Sequence, residues 1–429
     1  MKRHAGYKDS GQSWVGEIPS HWELKPNRSL FWDVGKTVEN EGEGFLLLSL
    51  TQNGLIPRDM ENPSGKFPSD FSTYQKVAKG DLVFCLFDVD ETPRTVGIAS
   101  HDGMITGAYT VMRCYDDSYA KYLYWFYLSL DEAKRLKPLY RGLRKVVPAE
   151  TFRSIKSPIP PRDEASKICN YIESQVDSMN KAIASQGRMI ELLKERRSAI
   201  ITRAVTKGLD PKDKMKDSGV PWLAEVNAEW AYAPLKSLVG IPIQNGLGES
   251  SSRSDPNDPR YIRITDIDSN GRLRADTFSS VPREDCAGSY VAHKDLLFAA
   301  VGGTVGKSYL HLEKDGDYCY AGYLVRVRPD VCKIEPVFLK FWAESRCFWS
   351  QVEANLVKVT IENFSASRYS RLFVPLPSLE KQQEIVRFLK KICEDLDSAI
   401  TSQECLIELL KERRSAIITQ AVTGQIDVR

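Results

Sequence analysis

Two hydrophobic patterns alternate along the chain, and each of them occurs twice. Short apolar runs bounded by glycine, aspartate and proline fill most of each half, as in "DLVFCLF" from Asp81 and "DLLFAAV" from Asp295. Runs of this length with such flanks are typical of buried β-strands. The pattern therefore predicts that each half begins with a strand-rich globular domain of roughly 150 residues.

The second pattern follows a proline cluster in each half and is helical. No proline occurs from residue 163 to 206 or from 378 to 423, and apolar residues recur there at alternating steps of three and four. Asp163 and Ser378 are the predicted N-caps, and Gly208 and Gly424 are the predicted C-terminal stops. The spacing predicts a heptad seam made of Ile168, Ile172, Met179, Ile183, Ile190, Leu193 and Ile200 in the first helix, and of Ile385, Leu389, Ile392, Leu396, Ile400, Ile407, Leu410 and Ile417 in the second.

Each predicted helix is longer than a globular helix and needs a partner for its apolar stripe. About 42 residues at 1.5 Å per residue give a helix of about 63 Å, and the other copy is the expected partner. Polar residues interrupt both seams at equivalent places, where Gln186 matches Gln403 and Arg197 matches Arg414. Two interpretations stay open: these side chains fix the register of the helix pair, or they bend out to solvent.

The chain also repeats itself in sequence. "ELLKERRSAIITRAVT" from Glu191 and "ELLKERRSAIITQAVT" from Glu408 differ only at Arg203 and Gln420, and each half opens with Asp-Ser-Gly and two tryptophans eight residues apart. We predict an α+β fold with an internal pseudo-two-fold repeat, in which an antiparallel two-helix coiled coil separates two strand-rich domains. The predicted boundaries are 1–156 and 208–372 for the domains, and 157–207 and 373–429 for the helical regions.

Further matches extend the alignment of the two halves. The Thr-Val-Gly segment that begins at Thr95 aligns with the one that begins at Thr304. The aromatic-rich segments from Tyr122 and from Phe338 are both predicted to be helices. The consecutive aromatics of the first segment have the spacing of a core helix rather than of a base-stacking platform. We therefore expect a core location for Tyr122, Tyr124, Trp125, Phe126 and Tyr127.

Composition is that of a soluble globular protein. Of 429 residues, 42% are hydrophobic and 27% are charged, the net charge is +2, and no apolar run reaches the roughly 20 residues of a membrane span. The N-terminal stretch lacks the apolar core of a signal peptide, so we expect a cytoplasmic protein. The nine cysteines are widely spaced and form no CxxC pair, which predicts free thiols.

The tandem order of elements, the "DSGxxWxxE" opening and the "PLPxLxxQxxI" run before the second helix together resemble the specificity (S) subunit of type I restriction-modification systems. The resemblance covers essentially the whole chain. One departure is "PPRDEASKI" before the first helix, which lacks the Gln-Gln pair of "PSLEKQQEI" in the second copy.

The resemblance implies two target recognition domains that each read half of a bipartite sequence in double-stranded DNA, with the helix pair acting as a ruler. It also implies two docked methyltransferase subunits and two restriction-translocase subunits. This chain would then be a non-catalytic specificity subunit that binds no cofactor itself. S-adenosylmethionine, ATP and Mg²⁺ are expected on the partners, which would carry out methylation, ATP hydrolysis and cleavage.

Candidate DNA contacts lie on the polar loops of the two domains, because base reading needs directed donors and phosphate binding needs positive charge or backbone N–H groups. The glycines of the second domain would allow the backbone to approach a phosphate closely. The candidates are Arg94, Thr95, Arg141, Arg144 and Lys145 in the first domain, and Arg253, Arg260, Arg263, Gly302, Gly303, Thr304, Lys307, Asn355 and Lys358 in the second.

The repeated stretch on the two helices is the candidate partner surface, because a two-fold axis offers two equivalent docking sites to two copies of one partner. The candidates are Glu191, Lys194, Arg196 and Arg197 in the first copy, and Glu408, Lys411, Arg413 and Arg414 in the second. The basic residues of the first helix could equally follow the DNA backbone or form a solvated face.

Catalytic motifs are missing from the sequence. "AVGGTVGKS" has Val301 where a phosphate-binding P-loop needs glycine, and a strand rather than a helix is predicted after it. The five histidines show no metal-ligand spacing. Two other functional classes remain as alternatives, a self-sufficient DNA-modifying enzyme and a coiled-coil scaffold that does not bind DNA. The missing motifs disfavour the first, and the paired globular domains disfavour the second.

Because the two halves differ most in their strand-rich domains, the predicted DNA target is asymmetric. Two half-sites read in successive major grooves would lie about 10 bp apart, centre to centre.

Overall fold

The computed structural model describes residues 3–38, 45–58, 71–88, 91–92, 94–220, 223–248, 253–268, 271–314, 316–356 and 363–428. These residues form two compact units. The first unit contains residues 1–187 and 405–429, and the second unit contains residues 188–404. The division therefore falls within the two long helices rather than at their ends, because each strand-rich domain packs against parts of both helices.

Among the described residues of the first unit, twelve short strands and three helices begin there, and the last of these helices continues into the second unit. The strands are β1 (Tyr7–Asp9), β2 (Glu17–Pro19), β3 (Glu23–Pro26), β4 (Phe31–Asp33), β5 (Leu48–Thr51), β6 (Gly54–Pro57), β7 (Gln75–Val77), β8 (Leu82–Phe84), β9 (Val96–Ile98), β10 (Gly103–Ile105), β11 (Thr110–Cys114) and β12 (Lys156–Ile159). The helices are α1 (Ala120–Glu132), α2 (Ala149–Ser154) and α3 (Arg162–Lys207).

The second unit has a similar series of elements. Its strands are β13 (Met215–Val220), β14 (Leu223–Asn227), β15 (Ala231–Pro234), β16 (Gln244–Asn245), β17 (Arg260–Ile262), β18 (Leu296–Ala299), β19 (Ser308–Leu310), β20 (Tyr318–Tyr320), β21 (Leu324–Val327) and β22 (Phe373–Leu376). Its helices are α4 (Pro336–Glu344), α5 (Arg346–Asn355), α6 (Ala366–Tyr369) and α7 (Leu379–Val422), the last of which continues into the first unit.

Both units contain a four-stranded antiparallel sheet with the same strand order. The order is β4-β11-β8-β9 in the first unit and β16-β21-β18-β19 in the second. An ion pair between a half-buried arginine and a buried aspartate recurs in this framework, between Arg113 and Asp81 at 2.6 Å and between Arg328 and Asp295 at 2.7 Å. Shared topology and shared buried charges give the two units the same scaffold.

The smaller sheets differ between the units. Strands β7 and β10 of the first unit pair antiparallel, whereas β17 and β20 of the second unit pair parallel. The β5–β6 hairpin is a feature of the first unit. The two units therefore share a scaffold and differ in the segments inserted into it.

The two Thr-Val-Gly segments are not structurally equivalent. Val96 pairs with Phe84 in the first sheet, and Ser308 pairs with Phe298 in the second. Thr95 thus directly precedes its strand, whereas Thr304 lies in a short 3₁₀ turn before its own. The predicted alignment is offset by three residues, because the turn after β18 is built differently from the segment before β9.

The aromatic-rich segments are helical, as predicted, but the second one is broken. Tyr122, Phe126 and Tyr127 of α1 are buried in the core of the first unit, whereas Tyr124 and Trp125 pack against it half-buried. In the second unit, Ser345 leaves the helical conformation and its hydroxyl accepts a hydrogen bond from the backbone N–H of Phe348. Ser345 therefore ends α4 and caps α5, where the sequence predicts a single helix.

The ends of the two long helices lie close to their predicted positions. Ser378 precedes α7 and its hydroxyl accepts a hydrogen bond from Lys381 N–H, as expected for an N-cap. Asp163 is instead inside the first turn of α3, because that helix already begins at Arg162 after two prolines. Gly208 and Gly424 follow the helices with φ of +86° and +68°, the left-handed conformation that favours glycine as a stop.

Most of the predicted seam is buried or half-buried. The fully buried positions are Ile168, Ile172, Met179 and Ile190 on α3, and Ile385, Leu389, Ile400 and Ile417 on α7. The remaining seam positions are half-buried. The heptad spacing thus identified the side of each helix that packs.

Within each unit, segments of α3 and α7 contact each other through polar side chains. In the second unit, Arg197 bonds to Asp397 at 2.9 Å and Lys194 lies 3.7 Å from Glu404, so residue numbers rise on one helix as they fall on the other. In the first unit, Arg414 donates a hydrogen bond to Asn180 at 2.7 Å. Arg197 and Arg414 therefore contact the facing helix, which supports the first of the two interpretations of these residues.

The C-terminal turns of the two helices are buried in the cores of the strand-rich domains. Ile201, Ala204 and Val205 of α3 lie in the core of the second unit. The equivalent residues of α7, Ile418, Ala421 and Val422, lie in the core of the first unit. This packing explains part of the near-identity of the repeated stretch, since its second half is held by the chain itself rather than offered to a partner.

The second tryptophan of each opening motif packs against the C-terminal end of a long helix. A Cβ atom at Gly424 would lie 2.4 Å from the ring of Pro19 and 3.0 Å from Trp22, and a Cβ atom at Gly208 would lie 3.3 Å from Trp230. The two stop glycines therefore also permit close contact with the two tryptophans. This contact links the opening motif to the helix end in both units.

All nine cysteines are free thiols, and seven of them are buried. Among the described residues, no helix is both long enough and apolar enough to cross a lipid bilayer.

Candidate nucleic-acid interface

The predicted DNA-contacting loops of the first unit meet at one end of its four-stranded sheet. Strand β8 ends there, β9 and β11 begin there, and the loop of residues 140–147 closes over them. Two backbone hydrogen bonds fix that loop, from Asp88 N–H to Arg144 C=O and from Val147 N–H to Leu86 C=O, both 2.8 Å long. We call the surface formed by residues 86–88, 91, 92, 94 and 140–147 the first loop surface.

The second unit brings equivalent segments to the same end of its sheet. Strand β18 ends there and β19 and β21 begin there. The chain returns after α5 and is fixed by a hydrogen bond from Phe364 N–H to Ala300 C=O, 2.8 Å long. This bond corresponds to the one between Val147 and Leu86 in the first unit. We call residues 300–307, Tyr323 and the described residues on either side of 357–362 the second loop surface.

Three predicted cations lie together on a tight turn of the first loop surface. Arg141 and Val146 exchange two backbone hydrogen bonds, and Gly142 and Lys145 adopt positive φ angles of 70° and 47° between them. Arg144 lies 3.2 Å from Asp88 and Lys145 lies 3.7 Å from Glu91. Both ion pairs are solvent-exposed and contribute little to stability, so the cations stay available to a polyanion.

Arg94 is also part of this surface and is incompletely hydrogen-bonded. Its Nη2 donates to the backbone carbonyl of Gln52 at 2.8 Å. Its Nε and Nη1 are buried, and neither atom has a hydrogen-bond partner among the described residues. Because both atoms are enclosed, these donors reach a phosphate or base edge only if the Arg94 side chain moves.

Thr95 has a structural position instead. It is 8% exposed, and its backbone N–H donates to the buried carboxylate of Asp131 at 2.8 Å. Because its side chain is enclosed, Thr95 does not belong to the exposed loop surface.

The three predicted arginines of the second unit have partners within the protein, although the Arg253 side chain remains 53% exposed. Arg263 forms a two-bond pair with Asp266. Burial raises the pKa of the Asp266 carboxyl, but the hydrogen bonds from the guanidinium and the backbone N–H of Arg263 outweigh burial, so that pKa is lowered. Arg260 donates to the carbonyls of Arg274 and Thr277 at 2.6 and 2.7 Å. Arg253 pairs with two aspartates, Asp255 and Asp258. The charge of these arginines is evident from the sequence, whereas their hydrogen-bond and ion-pair partners are not.

The glycine-rich turn of the second unit remains accessible. Gly303 and Thr304 are exposed, and Gly302 has a positive φ of 69° with open space around the position of a Cβ atom. Lys307 turns away, since its ammonium donates to the carbonyl of Ile267. The turn therefore offers backbone N–H groups and a hydroxyl rather than a charged side chain.

The last two predicted residues follow α5. Asn355 is exposed, and its side-chain amide donates back to the carbonyl of Gln351 at 2.8 Å. Lys358 lies outside the described residues.

Several apolar and aromatic side chains on or beside these surfaces, some exposed and some half-buried, were not predicted. Leu143 is fully exposed, with a relative accessibility of 103%, at the tip of the basic turn. Phe87 and Tyr109 stack with ring centres 6.1 Å apart, and the Arg144 guanidinium covers the Phe87 ring. Tyr323 is 65% exposed beside the glycine-rich turn. The sequence indicated an exposed Leu143 only by its place between Arg-Gly and Arg-Lys.

The candidate partner residues divide into two groups. Glu191, Lys194 and Arg196 in the first copy, and Glu408, Lys411 and Arg413 in the second, are exposed. Arg197 and Arg414 face the other helix and belong to the helix pairing described above. The predicted docking set is therefore reduced by its two most inward members.

Exposed apolar side chains accompany the outward residues at equivalent positions. Met189 and Leu192 are 48% and 44% exposed, and Leu406 and Leu409 are 39% and 55% exposed. Together with Arg196 or Arg413, each pair follows the spacing of one helix face. We call these two sets, Met189–Leu192–Arg196 and Leu406–Leu409–Arg413, the helix patches.

Comparison with known proteins connects this architecture to one family. Residues 227–404 match the family model of the type I restriction modification DNA specificity domain. The chain is 22% identical over 290 residues to the type I restriction enzyme EcoBI specificity subunit of Escherichia coli, which covers 66% of this chain and 60% of that relative. It is 25% identical over 316 residues to the MjaVIII specificity subunit of Methanocaldococcus jannaschii, covering 72% of this chain and 71% of that relative.

A solved structure has the same fold. One chain of the structure described as "Structural basis underlying complex assembly and conformational transition of the type I R-M system" superposes with a TM-score of 0.71 at 15% identity. The superposition covers 95% of this chain and 99% of that chain. These matches confirm the resemblance drawn from the sequence motifs: residues 227–404 match the specificity-domain model, and the chain is similar to type I restriction enzyme specificity subunits.

Proposed function

We propose that this chain recognises a bipartite, asymmetric sequence in double-stranded DNA for a type I restriction-modification complex. The first loop surface reads one half-site and the second loop surface reads the other. The observation that carries this proposal is the convergence of two predicted loops at one end of the four-stranded sheet of the first unit, matched at the same end of the second sheet by the glycine-rich turn and by the bond of Phe364 to Ala300.

The chemistry of the two surfaces differs, which supports an asymmetric target. The first surface offers arginine and lysine side chains around an exposed leucine, a residue type that can insert between base steps. The second surface offers a glycine-rich turn, a hydroxyl and an exposed tyrosine. Two surfaces with different donors and shapes select different sequences.

Pairing of α3 and α7 as an antiparallel coiled coil would set the distance between the half-sites. The helices contain 46 and 44 residues, which corresponds to about 69 Å and about 66 Å at 1.5 Å per residue. The contacts of Arg197 with Asp397 and of Arg414 with Asn180 occupy equivalent positions in the repeat. Such matched polar contacts favour one register over its neighbours.

The helix patches would dock two copies of one methyltransferase subunit, because they repeat one arrangement of side chains. An exposed apolar pair beside a charged residue is the composition of a protein interface rather than of a solvated helix face. Restriction-translocase subunits would join the same complex. S-adenosylmethionine, ATP, Mg²⁺ and the catalytic groups would be supplied by those partners, and this chain would supply sequence recognition.

The DNA-binding part of the proposal is tested by substituting cations on the first loop surface. We expect Arg141→Ala and Arg144→Ala to weaken DNA binding by the chain in complex with its methyltransferase. Each phosphate that the variant no longer neutralises should make the slope of log affinity against log salt concentration shallower by about 0.9. The measurement is a fluorescence-anisotropy titration of a labelled duplex at several salt concentrations.

Lys79→Ala provides the matched control. Lys79 is equally exposed on the same unit but precedes β8, so it lies at the opposite end of the sheet. Its substitution should leave both the affinity and the salt slope unchanged. Equal losses in all three variants would indicate non-specific charge effects and would contradict the assignment of the loop surface.

A further inference from the structure

A cluster of two histidines and one glutamate lies in the first unit, away from the loop surface. His4, His21 and Glu164 each place one ligand-type atom so that all three atoms lie within 4.8 Å of one another. The Nε2 atoms of His21 and His4 are 2.8 and 3.7 Å from the two oxygens of the Glu164 carboxylate. The three residues come from the N-terminal segment, from the turn after β2 and from the first turn of α3.

The cluster is enclosed on one side and open on the other. The side chains of His4 and Glu164 are 2% and 6% exposed, whereas that of His21 is 40% exposed. A small solute therefore has a path to the cluster past His21. The three ligand atoms are otherwise surrounded by protein.

The carboxylate is held in place by a neighbouring group. The indole N–H of Trp22 donates to Glu164 Oε1 at 3.1 Å, and Trp22 itself is fully buried. The N-terminal segment is fixed as well. The Tyr7 hydroxyl accepts a hydrogen bond from the backbone N–H of His4 and donates one to the backbone carbonyl of Gly424. Supporting bonds of this kind orient the ligands of protein metal sites.

The fold of the unit does not require this cluster. At the offset that aligns Trp22 with Trp230, His4 and His21 correspond to Lys212 and Glu229 in the second unit. At the offset that aligns α3 with α7, Glu164 corresponds to Lys381. The second unit forms an equivalent junction between tryptophan and helix end without any of these three residues, so the cluster is specific to the first unit.

We propose that His4, His21 and Glu164 form a binding site for one divalent transition-metal ion of the zinc class. Two imidazole nitrogens and one carboxylate oxygen are a ligand set that Zn²⁺ and its neighbours prefer over Mg²⁺ or Ca²⁺. Ligand atoms around a tetrahedral Zn²⁺ with bonds of about 2.0–2.1 Å lie about 3.3 Å apart, so small side-chain rotations bring the present atoms to that spacing. Solvent would fill the fourth position on the His21 side.

Metal binding would join three chain segments that are distant in sequence. The ion would fix the N-terminal segment and the turn before Trp22 to the start of α3. Because these segments are separated in the unfolded chain, the bound ion would stabilise the folded first unit.

Zinc titration of the full-length chain tests this site. The protein is purified without an affinity tag, treated with a chelator, and carries Cys332→Ser and Cys405→Ser, because these two cysteines are exposed and would bind zinc themselves. We expect isothermal titration calorimetry to show one equivalent of Zn²⁺ per chain. Co²⁺ should give the absorption of a site with nitrogen and oxygen ligands and no thiolate.

Substitutions identify the ligands. His21→Ala should abolish binding of the one equivalent of Zn²⁺, and Glu164→Gln should lower the affinity for Zn²⁺ by more than about 10-fold. His293→Ala should leave binding unchanged, since His293 is an exposed histidine of the second unit. His21 is the decisive position because its exposed ring can be truncated without opening the core, which circular dichroism checks.

A second readout is independent of stoichiometry. Zn²⁺ should raise the melting temperature of the parent protein and of His293→Ala but not that of His21→Ala. If the parent protein binds no equivalent of zinc, or if His21→Ala binds it equally well, the cluster is a hydrogen-bonded ion pair only and the proposal is wrong.

Discussion

At the scale of single residues, equivalent positions of the repeat have acquired different partners. Arg197 bonds to Asp397 at 2.9 Å and to Glu344 at 2.8 Å, whereas Arg414 bonds to Asn180 at 2.7 Å. The Arg197 side chain is 25% exposed. With one carboxylate partner on α7 and another at the end of α4, Arg197 stabilises the second unit more than Arg414, with its single amide partner, stabilises the first.

Arg197→Ala should therefore lower the free energy of unfolding of the second unit by about 1–3 kcal/mol, because it removes the bonds to Asp397 and Glu344, although Glu344 keeps its bond to Lys340. Arg414→Ala should cost about 1 kcal/mol. Denaturant unfolding followed by far-UV circular dichroism measures both changes. Arg196→Ala and Arg413→Ala are the controls, since these exposed neighbours should stay within about 0.5 kcal/mol of the parent protein. Equal effects at 196 and 197 would contradict the role of the inward arginine.

The contribution of Arg197 should depend on pH through Glu344. Burial raises the pKa of Glu344, but Lys340 and Arg197 outweigh burial, so the pKa lies below its ordinary value of 4.5. A lowered pKa means that the pair stabilises the protein above pH 4.5 and loses its effect as the pH falls through the lowered pKa. We expect the stability difference between parent and Arg197→Ala to shrink as the pH falls through this lowered pKa. A difference that is unchanged from pH 7 to pH 3 would exclude Glu344 as the partner that matters.

At the scale of elements, the sequence predicted the long helices better than the surfaces. The heptad spacing located α3 and α7 to within a few residues, because burial of one face enforces that period. Strand-like runs likewise indicated strands in both halves of the chain, such as Leu82–Phe84 and Leu296–Ala299. What could not be predicted was the partner of each arginine: Arg263 and Asp266 lie three residues apart, yet only the 3₁₀ turn between them brings their charged groups together.

The repeated stretch shows the same limit. Its sixteen residues were expected to form one docking surface, but Ile201, Ala204 and Val205 are buried in a core. The apolar spacing that marks a docking face also marks a buried face, and only the fold distinguishes them. Met189 and Leu192, which are exposed, carry the outward patch instead.

The helix patches lead to a prediction about subunit stoichiometry. Leu192→Glu and Leu409→Glu should each remove one of two docked methyltransferase subunits, and the double variant should remove both, because a carboxylate replaces an apolar contact at the centre of each patch. Analytical ultracentrifugation of the purified complexes measures the number of copies. Ser166→Glu, at an exposed position of α3 remote from the patches, should retain both copies. Retention of two subunits by the double variant would refute docking at these patches.

At the scale of the whole molecule, the proposed function requires two recognition units joined by one ruler. Deletion of one heptad from each of α3 and α7 at equivalent positions should shorten the permitted spacer between the half-sites, since each helix loses about 10 Å. The half-site sequences themselves should stay the same. Methylation mapping in a host that carries the shortened chain measures both properties, and altered half-sites with an unchanged spacer would argue against the ruler.

The most direct test of the central claim is the exchange of one recognition domain. Residues 1–156 are replaced by the equivalent segment of a relative, and methylated adenines are mapped across the host genome. Modular readout predicts that one half of the methylated sequence changes while the other half and the spacer persist, and that exchange of residues 208–372 changes the opposite half. A change in both halves from a single exchange, or in neither, would contradict it.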